Sequence, residues 1–335
     1  MMGSVSGVGT PTHLPQEGTT VHVEGRMEEP EAFHRPVMVE EVLEILEEAD
    51  EGLILDGTVG GGGHAEAMLE RWPRRRVLGV DRDPEALRSA QERLDRFGPR
   101  IRLLNMGFHE APDDAVVRQE GLAGALLDLG ISSWQLDSLH RGFAFRSGVP
   151  LDMRMEGRGP SAADLLNQAD EGALAGIFRE YGEERRARGL ARAVVRRRRD
   201  RPFRTSDDLV GAMRAALNRS PSPRDKARIF QALRIAVNRE MESLERGLER
   251  IREALNAGGV LVALAYHSLE DRRVKEAFRE WSRACVCPPG LPVCRCRGRA
   301  LGSWLVKGPR RPSPEEVREN PRARSARLRA WRKAA

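Results

Sequence analysis

Five glycines, Gly57 and Gly60 to Gly63, stand between an apolar run, Leu53 to Leu55, and a helix-like run from Ala65 to Arg71. Glycine lets a backbone turn sharply and approach a ligand with no Cβ in the way. The free N–H groups and dipole of a helix start then face that ligand. Asp81 closes the next apolar run, at the spacing where a carboxylate accepts hydrogen bonds from both ribose hydroxyls of an adenosine-containing cofactor. Asp128 interrupts the apolar stretch ALLDLG; burying an unpaired carboxylate is costly, so its place marks a use. Gln135 and Asp137 follow it in a polar loop with Trp134. Phe108 comes just after a third apolar run, where it covers an adenine face or packs in the core. Tyr266, His267 and Ser268 end a fifth run and offer proton donors and acceptors at the same edge.

A separate group is Cys285, Cys287, Cys294 and Cys296, two C-x-C pairs around PPGLPV. Four clustered thiols in a reducing compartment suggest a tetrahedral zinc, with free thiols as the alternative; four thiolates would leave no open position, so the role of a bound ion would be structural.

These residues need a scaffold that brings strand ends together. LILD (53–56), RVLGVD (76–81), RIRLLNM (100–106), AGALLDLG (123–130) and GGVLVALAYHS (258–268) read as strands that alternate with helices. This predicts an α/β fold with a mostly parallel, Rossmann-like sheet. A stripe of Val37, Val42, Ile45 and Leu46 predicts a helix before the first strand. Between the fourth and fifth strands lie more than 120 residues that read as helices. Ser161, Asp170 and Ser206 are their expected N-caps, a basic helix is expected over 183–199, and Pro223 stands near the start of another. Helix 239–255 is expected to end at Gly258-Gly259. The expected organisation is a disordered extension at 1–33, a cofactor-binding α/β domain from 34–141 and 239–312, an inserted helical substrate-recognition domain at 142–238, and a basic tail at 313–335 that is not ordered on its own.

Net charge is +6, but it is segregated. Glu180 to Arg204 holds ten Arg against four acids, and Arg310 to Ala335 holds eight Arg and one Lys against three. Two basic blocks on an otherwise acidic chain point to a polyanion partner, with nucleic acid ahead of plain solvation. The Arg-rich helix 185–204 and the tail 322–333 are expected to grip phosphates. No apolar run approaches the roughly 18 residues of a membrane helix, and no signal peptide is visible, so a cytoplasmic location without membrane partners is expected. Oligomeric state is left open, a homodimer included.

Several strings together resemble the bacterial RsmH (MraW) family of 16S rRNA cytosine-N4 methyltransferases. They are HRPVMVEEV (34–42), LDGTVGGGGHA (55–65), DRDPEAL (81–87), LLDLGISSWQLD (126–137), RGFAFRSGVPLDMRM (141–155), YGEER (181–185), AYHSLEDR (265–272) and ENPRARSARLR (319–329). They run in order over nearly all of 34–329. The resemblance implies a class I S-adenosylmethionine-dependent methyltransferase with a helical insertion. It implies cofactor contacts from Gly62, Gly63, His64, Asp81, Phe108, Asp128 and Gln135, and a decoding-site cytosine of the small-subunit rRNA as substrate. Asp128, with Tyr266 and His267 beside it, is the candidate for handling the target amine. Trp134 and Tyr266 stand where relatives often carry other residues, and the paired C-x-C motif occurs in only part of the family. Two competing readings remain. An NAD-dependent dehydrogenase uses a similar glycine turn, and an RNA-binding assembly factor could keep the fold without activity.

Overall fold

The structure, a computed structural model, describes residues 36–288, 293 and 295–335. The extension expected at 1–33 and the cysteine at 294 lie outside these residues. The first half alternates as expected: α1 (Val39–Leu46), β1 (Leu53–Asp56), α2 (Gly63–Arg71), β2 (Arg76–Asp81), α3 (Pro84–Leu94), β3 (Ile101–Asn105), α4 (Ala115–Glu120), β4 (Leu122–Asp128) and α5 (Ser133–Asp137). Helices follow: α6 (Ala162–Gln168), α7 (Glu171–Glu180), α8 (Ala187–Asp200), α9 (Ser206–Leu217), α10 (Pro223–Asn238) and α11 (Glu240–Ala254). The chain then returns through β5 (Leu255–Ala265), α12 (Ser268–Trp281), β6 (Gly302–Trp304), α13 (Pro314–Glu319) and β7 (Arg327–Lys333).

The strands form one sheet in the order β3-β2-β1-β4-β5-β7-β6. The first five are parallel neighbours, whereas β7 runs antiparallel to both β5 and β6. Every residue of β1 is buried, as a parallel strand covered on both faces requires. One face packs on α1, α2 and α3 through Val42, Leu46, Met68 and Leu94. The other packs on α11 and α12 through Leu248, Ile251, Phe278 and Trp281. Strand order turns back between β1 and β4, so the crevice beyond their carboxyl ends is the expected binding place of such a sheet.

The C-terminal segment departs from expectation: it is ordered as β7, between β5 and β6 in the sheet. Its two-residue period explains this. Leu328 and Ala330 enter the core on the α1 side, while Trp331 is buried on the α12 side. On that second side Arg327 and Arg329 both donate to Asp271, at 2.8 and 2.7 Å. A count of arginines hides this alternation. The antiparallel β7 beside β5 also breaks the 3-2-1-4-5-6 order typical of dinucleotide-binding sheets.

Helices α6 to α10 close on their own core, centred on Phe178, Phe203, Leu209 and Phe230. Ser161 and Asp170 cap α6 and α7 as expected. Ser206 is not the cap of α9; Thr205 is, with Asp208 completing the box, while the Ser206 hydroxyl donates to the Arg146 carbonyl at 2.6 Å. The basic helix starts later than expected because Glu183 adopts φ 47°. Gly258 and Gly259 do not end α11; they lie inside β5, and the helix stops at Ala254. Asn238 fastens the segment internally, its amide donating to the Met153 and Arg234 carbonyls and accepting from Met155 N–H, while its own carbonyl accepts from Arg82, just after β2, at 2.8 Å.

Candidate active site

The turn after β1 is built as the glycine pattern requires. Gly62 adopts φ +85°, a left-handed conformation that leads directly into α2. Gly60 N–H donates to Asp81 Oδ2 at 3.0 Å, and Asp83 N–H donates to Oδ1 at 2.9 Å. The acid at the tip of β2 therefore holds the turn as well as facing the crevice. Burial pushes the Asp81 carboxyl up to about 6, against the pull of those two N–H groups.

Asp56 ends β1 and is 1 % exposed. Its Oδ1 accepts from Thr58 N–H at 3.3 Å, and its Oδ2 is buried with no hydrogen-bond partner among the described residues. Burial raises this carboxyl to about 7; His64 opposes the rise, and Asp128 and Asp81 add to it. Asp128 ends β4. Its own N–H donates to Thr58 Oγ1 at 2.6 Å, which locks the two strand ends together. Tyr266, at the end of β5, donates its hydroxyl to Asp128 Oδ1 at 2.7 Å. Burial lifts the Asp128 carboxyl above its ordinary range, with His64 and the Tyr266 hydroxyl pulling the other way. Its side chain keeps 23 % exposure, so a ligand can reach it. Burial and the neighbouring Asp128 hold the Tyr266 phenol well above its usual pKa, so it remains a donor.

His64, in the first turn of α2, places Nε2 3.0 Å from the Val37 carbonyl and Nδ1 3.7 Å from Asp128 Oδ2. A carbonyl only accepts, so Nε2 carries a proton. Phe108 wedges between the β1 turn and α11, so close that a Cβ on Gly247 would collide with its ring. Gln135 is buried and does two local jobs. Its Oε1 accepts from Ser132 N–H, and its Nε2 donates to Asp83 Oδ2 at 2.7 Å. Asp83 is fully buried, caps α3, and receives Arg141 at 2.8 Å. Sequence reasoning misses both Asp83 and Arg141. The Asp-Pro step at 83–84 is a readable N-cap signal, but nothing local announces its distant arginine.

His267 is not brought to Asp128. It caps α12, with Nδ1 accepting from Glu270 N–H at 3.4 Å and Nε2 3.0 Å from Glu270 Oε1. Glu240 lies in the same cluster, and Arg234 donates to it at 2.9 Å. Burial would raise Glu270, yet His267 and Arg234 outweigh it and hold the carboxyl low. The expected partnership of Asp128 with Tyr266 is present, and that with His267 is absent.

Asp56, Asp81 and Asp128 thus surround the glycine turn with little counter-charge. Arg141 is engaged by Asp83 and Glu85, and Arg82 by the Asn238 carbonyl and the Ser243 hydroxyl. A crevice with three lifted acids and an orphaned carboxylate oxygen suits a ligand that brings positive charge and hydroxyl donors. S-adenosylmethionine, with its sulfonium, ammonium and ribose, fits that donor set.

Two basic features lie outside the crevice. Arg188, Arg192, Arg196 and Arg199 recur every three or four residues on α8, so they share one face, and all four are exposed. Among the described residues Arg192 alone of these meets an acid, the exposed Glu171 at 3.7 Å. Arg197 and Arg198 turn inward instead, to Asp208 and to the Leu166 and Ala169 carbonyls. A cavity of about 320 Å³ is lined by Arg82, His109, Arg154, Arg158, Arg239 and Arg246, together with the acids Glu156 and Glu242. By contrast five arginines of the C-terminal segment are engaged: Arg310 with Glu44, Arg322 with Asp137, Arg327 and Arg329 with Asp271, and Arg332 with Glu48. Folding thus takes up the charges of those five, while Arg311, Arg318 and Arg324 stay exposed.

No helix among the described residues is long and apolar enough to cross a membrane. The profile of the MraW methylase family matches residues 31–334. A ribosomal RNA small subunit methyltransferase H from Gemmatimonas aurantiaca is 49 % identical over 305 residues, covering 90 % of this chain and 96 % of the relative. One of the same name from Heliobacterium modesticaldum is 47 % identical over 309 residues, covering 90 % and 98 %. Among solved structures, an rRNA methylase from Streptococcus thermophilus aligns over 91 % of this chain and 99 % of its own, with 12 % identity and a TM-score of 0.40. The family profile covers nearly the whole chain: the chain belongs to the MraW methylase family, whose methyl donor is S-adenosylmethionine.

Proposed function

We propose that this protein transfers a methyl group from S-adenosylmethionine to the exocyclic N4 of a decoding-site cytosine in 16S rRNA of the small ribosomal subunit. The observation that carries the reading is the Asp128–Tyr266 pair at the junction of β4 and β5, beside the glycine turn and the orphaned Asp56 oxygen. The relatives named for small-subunit rRNA methylation, at 49 % and 47 % identity, support the substrate.

Bound S-adenosylmethionine supplies an electrophilic methyl on a cationic sulfur. The residues of the chain supply position and charge. Asp81 and the first turn of α2 receive the ribose, Phe108 flanks the adenine, and Asp56 faces the positive charge. Gln135 acts one step back, by fixing α5 to Asp83. Asp128 takes the amine: its Oδ1 is held by Tyr266, so Oδ2 is left to accept an amine N–H and draw the lone pair out of conjugation. Alignment of this kind supplies about 7–11 kcal/mol in favourable cases. A carboxyl lifted by burial also accepts the proton released on transfer. His267 has no part in this, because its ring belongs to Glu270. The target base must leave its stack to reach the crevice. The helical segment 142–238 is read as the part that recognises substrate, with the exposed face of α8 meeting phosphates through Arg188, Arg192, Arg196 and Arg199.

The test is transfer of tritiated methyl to small subunits from cells lacking the modification. The intact protein is expected to label one cytosine, and Asp128→Ala to label none while keeping its circular dichroism and melting temperature. Full activity of Asp128→Ala would refute the assignment, and labelling of another nucleotide would refute the substrate.

A further inference from the structure

The segment between α12 and β6, residues 282–301, has no helix or strand among its described residues, yet it holds a defined arrangement of sulfur. Cys285, Cys287 and Cys296 bring their Sγ atoms within 4.8 Å of one another. The Cys296 and Cys285 sulfurs are 3.8 Å apart. That is far beyond the ~2.05 Å of a disulfide. It equals the edge of a tetrahedron whose centre binds sulfur at about 2.3 Å, since such an edge is about 3.8 Å long.

The backbone around the sulfurs is arranged reciprocally. Val286 N–H, in the first C-x-C arm, donates to Cys296 Sγ in the second at 3.3 Å. Arg295 N–H, in the second arm, donates to Cys287 Sγ in the first at 3.4 Å. Each bond ties a sulfur of one arm to the backbone of the other and so fixes where the sulfurs lie.

We propose that Cys285, Cys287 and Cys296 bind a zinc ion that fastens the segment between α12 and β6. The assignment is made on these three sulfurs; Cys294, the remaining cysteine of the pattern, lies outside the described residues. The role is structural. The sulfurs follow the far end of α12, a helix of 14 residues and so about 20 Å long, whose first turn adjoins Tyr266. No step of methyl transfer reaches that far. What the ion secures is the edge of the sheet: Leu301 N–H donates to the Trp281 carbonyl at 2.8 Å, and Trp304 of β6 packs edge-on to Phe278 at 5.5 Å. Closing a long irregular loop with a metal removes freedom from the unfolded chain and ties ion binding to local order.

The experiment uses the full-length protein, stripped of metal with a chelator under reducing conditions and titrated with zinc or with cobalt(II). Expected are about one ion per chain, a sulfur-to-cobalt charge-transfer band in the near ultraviolet, and slower amide exchange in β6 once the ion is bound. Cys285→Ser and Cys296→Ser, separately and together, should each abolish the band and cut zinc uptake at least about tenfold, with methyl transfer unchanged. The proposal is overturned if the stripped protein takes up no zinc from an excess. It is equally overturned if the double variant binds as well as the parent, or if the cobalt spectrum lacks thiolate character.

Discussion

Acidification from pH 8 to pH 6 should weaken binding of S-adenosylmethionine, and the structure sets the size of the effect. Asp56 is enclosed and lifted to about 7, and Asp81 to about 6. A cationic ligand needs these groups ionised. A carboxyl with a pKa of about 7 is roughly nine-tenths ionised at pH 8 and one-tenth at pH 6. Asp56 alone therefore removes about tenfold in affinity over that interval, and Asp81 adds about a factor of two. The ammonium of the ligand titrates near pH 8 and gains charge on acidification, which opposes the trend by at most about twofold.

Calorimetry in buffers of different ionisation enthalpy measures both the affinity and the protons released. About 1.4 protons should leave per ligand bound near pH 6, about 0.9 from Asp56 and about 0.5 from Asp81, and Asp56→Asn should flatten the profile to the share of Asp81. Affinity that is constant or rises between pH 8 and 6, or an Asp56→Asn profile as steep as the parent, would sink the reasoning. The sign for stability is opposite. A carboxyl whose folded-state pKa is raised binds more protons in the native state than in the unfolded chain, so the ligand-free protein loses stability as pH climbs from about 4 towards 7. Asp56→Asn should show a shallower decline in melting temperature over the same window.

Three further outcomes follow from the geometry. Tyr266→Phe removes the donor to Asp128 Oδ1; a hydrogen bond to a charged group is worth about 1.5–3 kcal/mol, so kcat on small subunits should fall about ten- to a hundredfold with affinity for S-adenosylmethionine nearly intact. Trp331→Ala empties a fully buried site between Phe278 and Trp281 and should cost about 3–5 kcal/mol in chemical denaturation; a loss under about 1 kcal/mol would contradict the place of β7 in the sheet. Arg188→Glu with Arg196→Glu should weaken binding to small subunits and reduce the dependence of log affinity on log salt by about 0.7–0.9 for each phosphate no longer neutralised; an unchanged slope would remove α8 from the interface.

The parts of this protein that sequence reveals are those written in local pattern. The strands that carry Asp56, Asp81 and Asp128 are continuous apolar runs, because a parallel sheet buries both faces. Glycine at 60–63 marks the turn, since Gly60 and Gly62 take positive φ. Two kinds of information are not local. The seventh strand reads as a basic tail because three of its seven residues are Arg and a fourth is Lys. Its strand character rests on alternation, and its arginines on acids 56 to 284 positions away. His267 reads as catalytic because it adjoins Tyr266 in sequence; in an extended segment neighbouring side chains point to opposite sides, and the ring that misses Asp128 meets Glu270.

Charge is the case in which the same composition ends in two different uses. Both Arg-rich blocks carry the same formal excess, but Arg322, Arg327, Arg329 and Arg332 of the tail are met by Glu48, Asp137 and Asp271, each brought from a separate element, and Arg311, Arg318 and Arg324 are left exposed. Among the described residues helix α8 meets Asp208 on its inner side and, on its outer side, only Glu171 through Arg192. Among the described residues no acid pairs with Arg188, Arg196 or Arg199, and all three face solvent. An arginine held by a carboxylate has little to offer a phosphate, because binding would first have to break an ion pair already formed. A row without such partners, at helical spacing, releases condensed counterions as soon as it meets the polyanion. The number of arginines is thus a poor measure of nucleic-acid affinity in this fold; what counts is how many of them the acids of the folded chain leave unclaimed.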